Sequence, residues 1–181
     1  MEKFKIIGIG GTLRKGSFSK ALLLEAQKLA PGGVVIEIAD ITDFPLYNPD
    51  IPLPESVQKF KNSIKEADAI LFSTAEYNFS IPGSLKNAID WASRPYGDNS
   101  WDEKPAAIMS ESIGMLGGIK AQLHLRQMML FINIHPLNKP EVIVSNVTEK
   151  FDEEVNLTDE HTKEKIKELV ESLVQWAKKI N

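Results

Sequence analysis

Two kinds of hydrophobic pattern alternate along the chain. Short, nearly unbroken apolar runs occur at residues 3–9, Val34–Ile38, Ala67–Ser73, Ala106–Met109 and Val142–Val144, and runs this short and continuous mark strands buried on both faces. Between them lie longer amphipathic stretches, Ser19–Ala30, Pro54–Glu66, Pro82–Ser93, Gly118–Phe131 and Asp159–Ile180, whose length and spacing predict helices. Alternation from end to end predicts an α/β fold, a parallel sheet with helices on both faces, because right-handed crossovers pack each helix back onto the strands. In the last helix Leu169, Leu173, Trp176 and Ile180 recur at helical spacing and are assigned to the core. The helix over 118–131 carries Leu123, Leu125, Met128, Met129, Leu130 and Phe131, more apolar surface than one sheet contact requires, so part of it is expected to cover a partner.

Composition narrows this picture. At 181 residues, 43% hydrophobic and 25% charged, the chain suits one globular core, and residues 1–181 read as a single domain without repeat or linker. The absence of cysteine excludes disulfides, thiolate metal sites and a cysteine nucleophile, and fits a reducing, cytoplasmic setting. In the N-terminal stretch MEKFKIIGIGGTLRK the apolar run Ile6–Ile9 is too brief for a signal-peptide core or a membrane span. Lys+Arg 21 against Asp+Glu 25, net −4, offers no general attraction for nucleic acid or an anionic membrane. Any phosphate must therefore be captured locally. His124, His135 and His161 lack metal-ligand spacing, and no metal site is expected.

In open α/β sheets, ligands bind beyond the carboxyl ends of the strands, where strand order reverses. Three loops fall there. The first, Gly10-Gly11-Thr12-Leu13-Arg14-Lys15-Gly16-Ser17-Phe18-Ser19, combines flexible backbone, hydroxyls and two cations just before a helix. That combination makes a phosphate cradle: amides at a helix start carry partial positive charge, hydroxyls donate, and Arg14 can fork onto two oxygens. Two better-known motifs come close. Gly11 and Gly16 match P-loop glycines, but Ser17-Phe18 stands where Lys-Ser/Thr belongs, and Leu13 replaces the third glycine of a dinucleotide fingerprint that would use Glu37 or Asp40 on the ribose. A capped helix after a glycine turn explains Ser17 or Ser19 singly, not the cluster.

The second loop, Ser73 to Gly83, places Tyr77 and Asn78 where a flat heterocycle would find an aromatic wall and edge donors, with Ser80 expected to cap the helix that Pro82 begins. Taken alone, it reads equally as a structural turn. The third, Ser110-Glu111-Ser112-Ile113-Gly114-Met115-Leu116-Gly117-Gly118, offers glycines that let backbone approach a ring closely. Arg94 and the segment Tyr96–Trp101 read either as an edge of the site that touches a nicotinamide nucleotide or as a surface loop.

The stretches GTLRKGSFSK (11–20), EYNFSIPGSLKNAIDWASRP (76–95) and GMLGGIKAQLHLRQ (114–127) together resemble the NADPH-dependent FMN reductase family, which includes bacterial quinone, chromate and azo-dye reductases. The resemblance extends through Lys139-Pro140-Glu141. It implies a flavodoxin-like three-layer sandwich with a five-stranded sheet of order 2-1-3-4-5, bound FMN, and NAD(P)H as co-substrate. The electron acceptor would be a small molecule: a quinone, free flavin, azo compound or chromate. By this similarity Thr12, Arg14, Ser17 and Ser19 hold the FMN phosphate, Ala75, Glu76, Tyr77 and Asn78 border the ribityl chain and ring, and Ser112, Gly114 and Gly117 approach the ring from the next loop. The flavin N5 carries the chemistry, so no catalytic side chain is required. The family also implies a homodimer or homotetramer, with Arg126 a candidate interface residue. Two departures stand out: Ala75 replaces a usual proline, and Glu111, expected to point outward, replaces a small residue. The rival readings are a flavodoxin-like electron carrier and a binding module without NAD(P)H oxidation.

Overall fold

The computed structural model describes residues 3–180; Met1 and Glu2, the start of the N-terminal stretch discussed above, and Asn181 lie outside the described residues. Its elements alternate as β1 (Phe4–Gly10), α1 (Phe18–Leu29), β2 (Val34–Ala39), α2 (Glu55–Glu66), β3 (Ala69–Ala75), α3 (Gly83–Ala92), β4 (Pro105–Glu111), α4 (Ile119–Ile132), β5 (His135–Pro136), β6 (Val142–Val144) and α5 (Glu160–Ile180). The strands are all parallel in the order β2-β1-β3-β4-β5, with β6 also paired to β4. β3 and β4 are buried at every residue, which is why their sequences show no polar face.

One core joins the sheet to α1 and α5 through Leu22, Leu23, Ala26, Leu169 and Leu173. The other joins it to α2, α3 and α4 through Phe60, Ile64, Leu85, Ile89, Leu125 and Met129. The connection after β1 therefore leaves toward one face, while that after β3 leaves toward the other. Between their carboxyl ends lies the crevice of an open sheet.

The fifth sheet position differs from the single strand expected. It is split: β5 pairs with Pro105 and Ala106, and β6 pairs with Met109, Ser110 and Glu111. Pro136 and Pro140 have no N–H to donate, so the ladder breaks between them. The intervening chain is held instead by Arg126, whose guanidinium donates to the Leu137 carbonyl at 3.0 Å and to Asn138 Oδ1 at 3.3 Å.

Three side-chain expectations also change. In α5, Leu169 and Leu173 are core as expected, but Trp176 and Ile180 are half-buried, and the apolar face is completed by Ile166, Val170, Val174 and Ala177. Trp176 sits at the margin, where its indole N–H donates to the His135 carbonyl at 2.9 Å. Pro82, not Ser80, occupies the N-cap of α3, and the Ser80 hydroxyl lies 2.7 Å from His124 Nδ1. Trp101 is fully buried between Phe60 and Phe72, with its N–H on the Ile89 carbonyl, so it belongs to the core and not to the rim of the site.

Candidate functional site

Ser17 begins the cradle. As N-cap of α1 it keeps extended backbone angles, and its hydroxyl accepts the Lys20 N–H at 3.1 Å. The amides of Phe18 and Ser19, in the first turn, have no helix carbonyl to donate to and lie at the positive end of the helix dipole. Thr12 donates to Ser17 Oγ at 2.6 Å, and Ser17 and Ser19 hydroxyls are 3.3 Å apart. Arg14 is exposed, with its guanidinium 6.0 Å from the Phe18 ring centre, free to swing over the cradle.

A cleft of about 220 Å³ opens above this loop, lined by Thr12, Arg14, Gly16, Ser17, Phe18, Ala75, Glu76, Tyr77, Glu111, Ser112 and Ile113. Of the residues singled out from sequence, the fold thus gathers Thr12, Arg14, Ser17, Ala75, Glu76, Tyr77 and Ser112 around one space. Ser19 is beneath it, fully buried. Asn78, Gly114 and Gly117 are not in its wall. A larger open concavity of about 1260 Å³ lies at the amino end of the sheet among Lys3, Lys5, Gly33, Glu66 and Lys178, opposite the end at which α/β sheets bind ligands. Glu37 and Asp40 are committed elsewhere, Glu37 to Lys5 at 3.1 Å and Asp40 to the Thr42 N–H at 3.0 Å and to the Thr42 hydroxyl.

Glu111 overturns its expectation by pointing inward. It is 5% exposed and accepts from the Ser19 hydroxyl at 3.3 Å. The reason is strand parity: side chains alternate along β4, so Glu111 falls on the same face as Ala107 and Met109, which pack toward α1 and α5. Burial pushes its carboxyl up to about 7, only partly opposed by the Ser19 hydrogen bond and the Arg14 charge. This residue and Phe18 and Ile113 were not assigned from sequence. Parity on β4 was the available signal for Glu111.

Beyond β3 the chain makes a tight turn, with Tyr77 and Ser80 exchanging backbone hydrogen bonds of 2.9 and 3.0 Å. Asn78 and Phe79 at its corners have φ of +51° and +66°, left-handed angles that a phenylalanine rarely adopts and that accumulate at binding sites. Phe79 is exposed, with Lys120 Nζ 3.2 Å from its ring centre. The Glu76 carboxylate reaches the next loop, where Oε2 accepts the N–H groups of Lys120 at 3.0 Å and Ala121 at 3.2 Å. It supplies the cap that Gly118, the N-cap of α4, lacks, and so ties the second loop to the third. In the third loop Gly117 is needed by packing: at φ +58°, a Cβ there would stand 2.5 Å from Ile143 Cγ2 and 2.9 Å from the Ser145 nitrogen. A Cβ at Gly114 would make only an ordinary contact, 3.7 Å from Ser112 Oγ. Among the described residues there is no cluster of three or more His, Asp or Glu that could hold a metal, and no helix long and apolar enough to cross a membrane.

The chain is 46% identical over 182 residues to an NAD(P)H-dependent FMN reductase of Pseudomonas aeruginosa, covering 99% of this chain and 98% of that protein. It is 44% identical to an NADPH:quinone oxidoreductase of Arabidopsis thaliana, covering 93% and 89% respectively. The structure superimposes on FerB, a flavoenzyme NAD(P)H:(acceptor) oxidoreductase from Paracoccus denitrificans, with a TM-score of 0.88 and 39% identity over 97% of both chains. Residues 4–149 match the family model described as NADPH-dependent FMN reductase, and the chain belongs to that family of flavodoxin-like oxidoreductases.

Proposed function

We propose that this chain passes electrons from NAD(P)H through bound FMN to a small acceptor, a quinone, free flavin, azo compound or chromate, in a ping-pong cycle. The donor set carries the reading: two hydroxyls, the α1 amides and Arg14 meet at one end of a cleft whose other end is apolar and open. That is the chemistry of a phosphate with a flat ring attached. FMN, when bound, supplies hydride acceptance and electron release, which no side chain here can do. The protein's part is to bind and orient. Thr12, Ser17, Ser19 and Arg14 hold the phosphate, Ala75, Glu76, Tyr77 and Asn78 border the ribityl chain and ring, and Ser112, Gly114 and Gly117 form the far loop. Nicotinamide and acceptor would then enter in turn at the open end of the cleft, beside Tyr77 and Ile113. The apolar side chains that α4 leaves uncovered, Leu123, Leu130 and Phe131 at 58, 82 and 75% exposure, support a homodimer or homotetramer. Arg126 is half-buried against Leu137 and Asn138, so its contribution to such an interface would be to shape that segment.

The test is an absorption spectrum of the purified protein followed by initial rates with NAD(P)H and a benzoquinone. The expected result is a flavin spectrum and parallel double-reciprocal lines. Flavin without NAD(P)H oxidation would make the chain an electron carrier, and intersecting lines would replace ping-pong by a ternary complex.

A further inference from the structure

The cradle hydroxyls form a chain that ends on a buried acid. Thr12 Oγ1 donates to Ser17 Oγ at 2.6 Å, either partner can donate across the 3.3 Å between Ser17 and Ser19, and Ser19 Oγ lies 3.3 Å from Glu111 Oε1. Because Ser17 Oγ also accepts the Lys20 N–H, its single proton serves one hydroxyl neighbour at a time. When Glu111 is ionised it can only accept, so Ser19 donates to it, Ser17 to Ser19, and Thr12 to Ser17. Every hydroxyl proton then points inward, and the cleft meets lone pairs above a buried negative charge. A proton on Glu111 allows the chain to reverse: the carboxyl can then donate to Ser19, Ser19 to Ser17 and Ser17 to Thr12, which leaves Thr12 to donate into the cleft. That one proton both removes the charge and creates a donor for an anion.

We infer that Glu111 determines how strongly the cradle prefers a phosphorylated flavin over its phosphate-free form, and that the phosphate seats together with a proton on Glu111. The inference rests on the reading of this loop as the FMN phosphate site. The groups facing Glu111 leave the proton as the available compensation. The loop after β1 brings Arg14, exposed and shared with the ligand. The end of β3 brings Ala75, in register with Glu111, and next to it in the cleft wall Glu76, whose carboxylate is bound to α4 amides. α1 brings only the hydroxyls of Ser17 and Ser19, β6 the apolar Val144 in register with Glu111, and the Gly118 turn only backbone. Burial holds the Glu111 carboxyl at about 7 in the free protein, so exchange falls within ordinary buffers. Below that pH the proton is already in place and phosphate binding takes none up. Above it the proton must be acquired, and FMN affinity falls by up to about tenfold per pH unit.

The experiment is titration of the flavin-free full chain with FMN and with riboflavin, followed by fluorescence quenching from about pH 6 to about pH 9, for the natural sequence and Glu111→Gln. The natural protein should lose FMN affinity by roughly tenfold or more between about pH 7 and about pH 9 while riboflavin affinity stays level. In Glu111→Gln the FMN profile should be flat over that range and at least about tenfold tighter than the natural protein at the alkaline end. Calorimetric titration of the natural protein at about pH 8, in two buffers of different protonation enthalpy, should show uptake approaching one proton per FMN. Parallel FMN profiles in the two proteins, or no proton uptake, would overturn the role given to Glu111 and leave the phosphate site standing. Failure of FMN to bind more tightly than riboflavin in both proteins at every pH would overturn the phosphate site as well.

Discussion

Ser17 and Ser19 at the cradle end of the cleft are 6% and 0% exposed, whereas Tyr77 and Ile113 at the other end are 50 and 74% exposed. At the first end each hydroxyl already has a protein partner and the helix start aims its amides outward. The second end presents aromatic and aliphatic surface with nothing over it. The difference separates two sources of binding. A preorganised polar end recognises one group at little ordering cost, while an uncovered apolar end contributes roughly 25 cal/mol for each Å² that a ligand or partner covers. Under the proposed function, recognition of the phosphate would belong to the cradle, and much of the affinity to surface that tolerates many flat molecules.

The sharpest way to break that contrast lies inside the third loop. Gly117→Ala forces a Cβ into Ile143 and the Ser145 backbone at a positive φ, and should destabilise the fold by about 3 kcal/mol. Gly114→Ala meets only Ser112 Oγ, at an ordinary contact distance of 3.7 Å, and should stay within about 0.5 kcal/mol. Thermal or urea unfolding of the two variants side by side reads the difference; equal losses would mean that the loop does not pack on β6 as described.

Next in size is Arg14→Ala. Loss of one charge-assisted contact to a phosphate, about 2 kcal/mol, should weaken FMN retention roughly thirtyfold. Riboflavin should bind unchanged, since Arg14 is exposed and its removal disturbs no packing. Equal weakening of both flavins, measured by fluorescence quenching, would move Arg14 from the phosphate to the ring end.

The smallest effect concerns the tie between the two apolar loops. Glu76→Ala removes the acceptor for the Lys120 and Ala121 amides and should cost about 1 kcal/mol, the worth of an N-cap, lowering Tm by about 3 °C. Glu76→Gln keeps one acceptor oxygen and should lose less. If neither variant shifts Tm, α4 draws its start from packing alone.

Much of this site was legible as pattern. The βα alternation located the three loops, and the hydroxyl and arginine cluster from Thr12 to Ser19 marked the first as the candidate anion site, because those groups act through local helix-start geometry. Ser80 was misread because a serine before a proline looks like a cap, while its hydroxyl is taken by His124, forty-four positions on. Trp101 was open to two readings because burial of a lone aromatic in a loop depends on Phe60 and Phe72, which no local window contains.

By itself the order of residues determined the strand and helix alternation, the parallel sheet and the chemical character of the cradle, since periodicity and helix-start donors are properties of short segments. Only the tertiary structure decided that Glu111 lies under the cradle, that Glu76 caps α4 rather than simply facing the cleft, and that the fifth sheet position is split. Each of those facts is a contact between segments far apart in the chain, set by strand parity, register and the packing of whole elements.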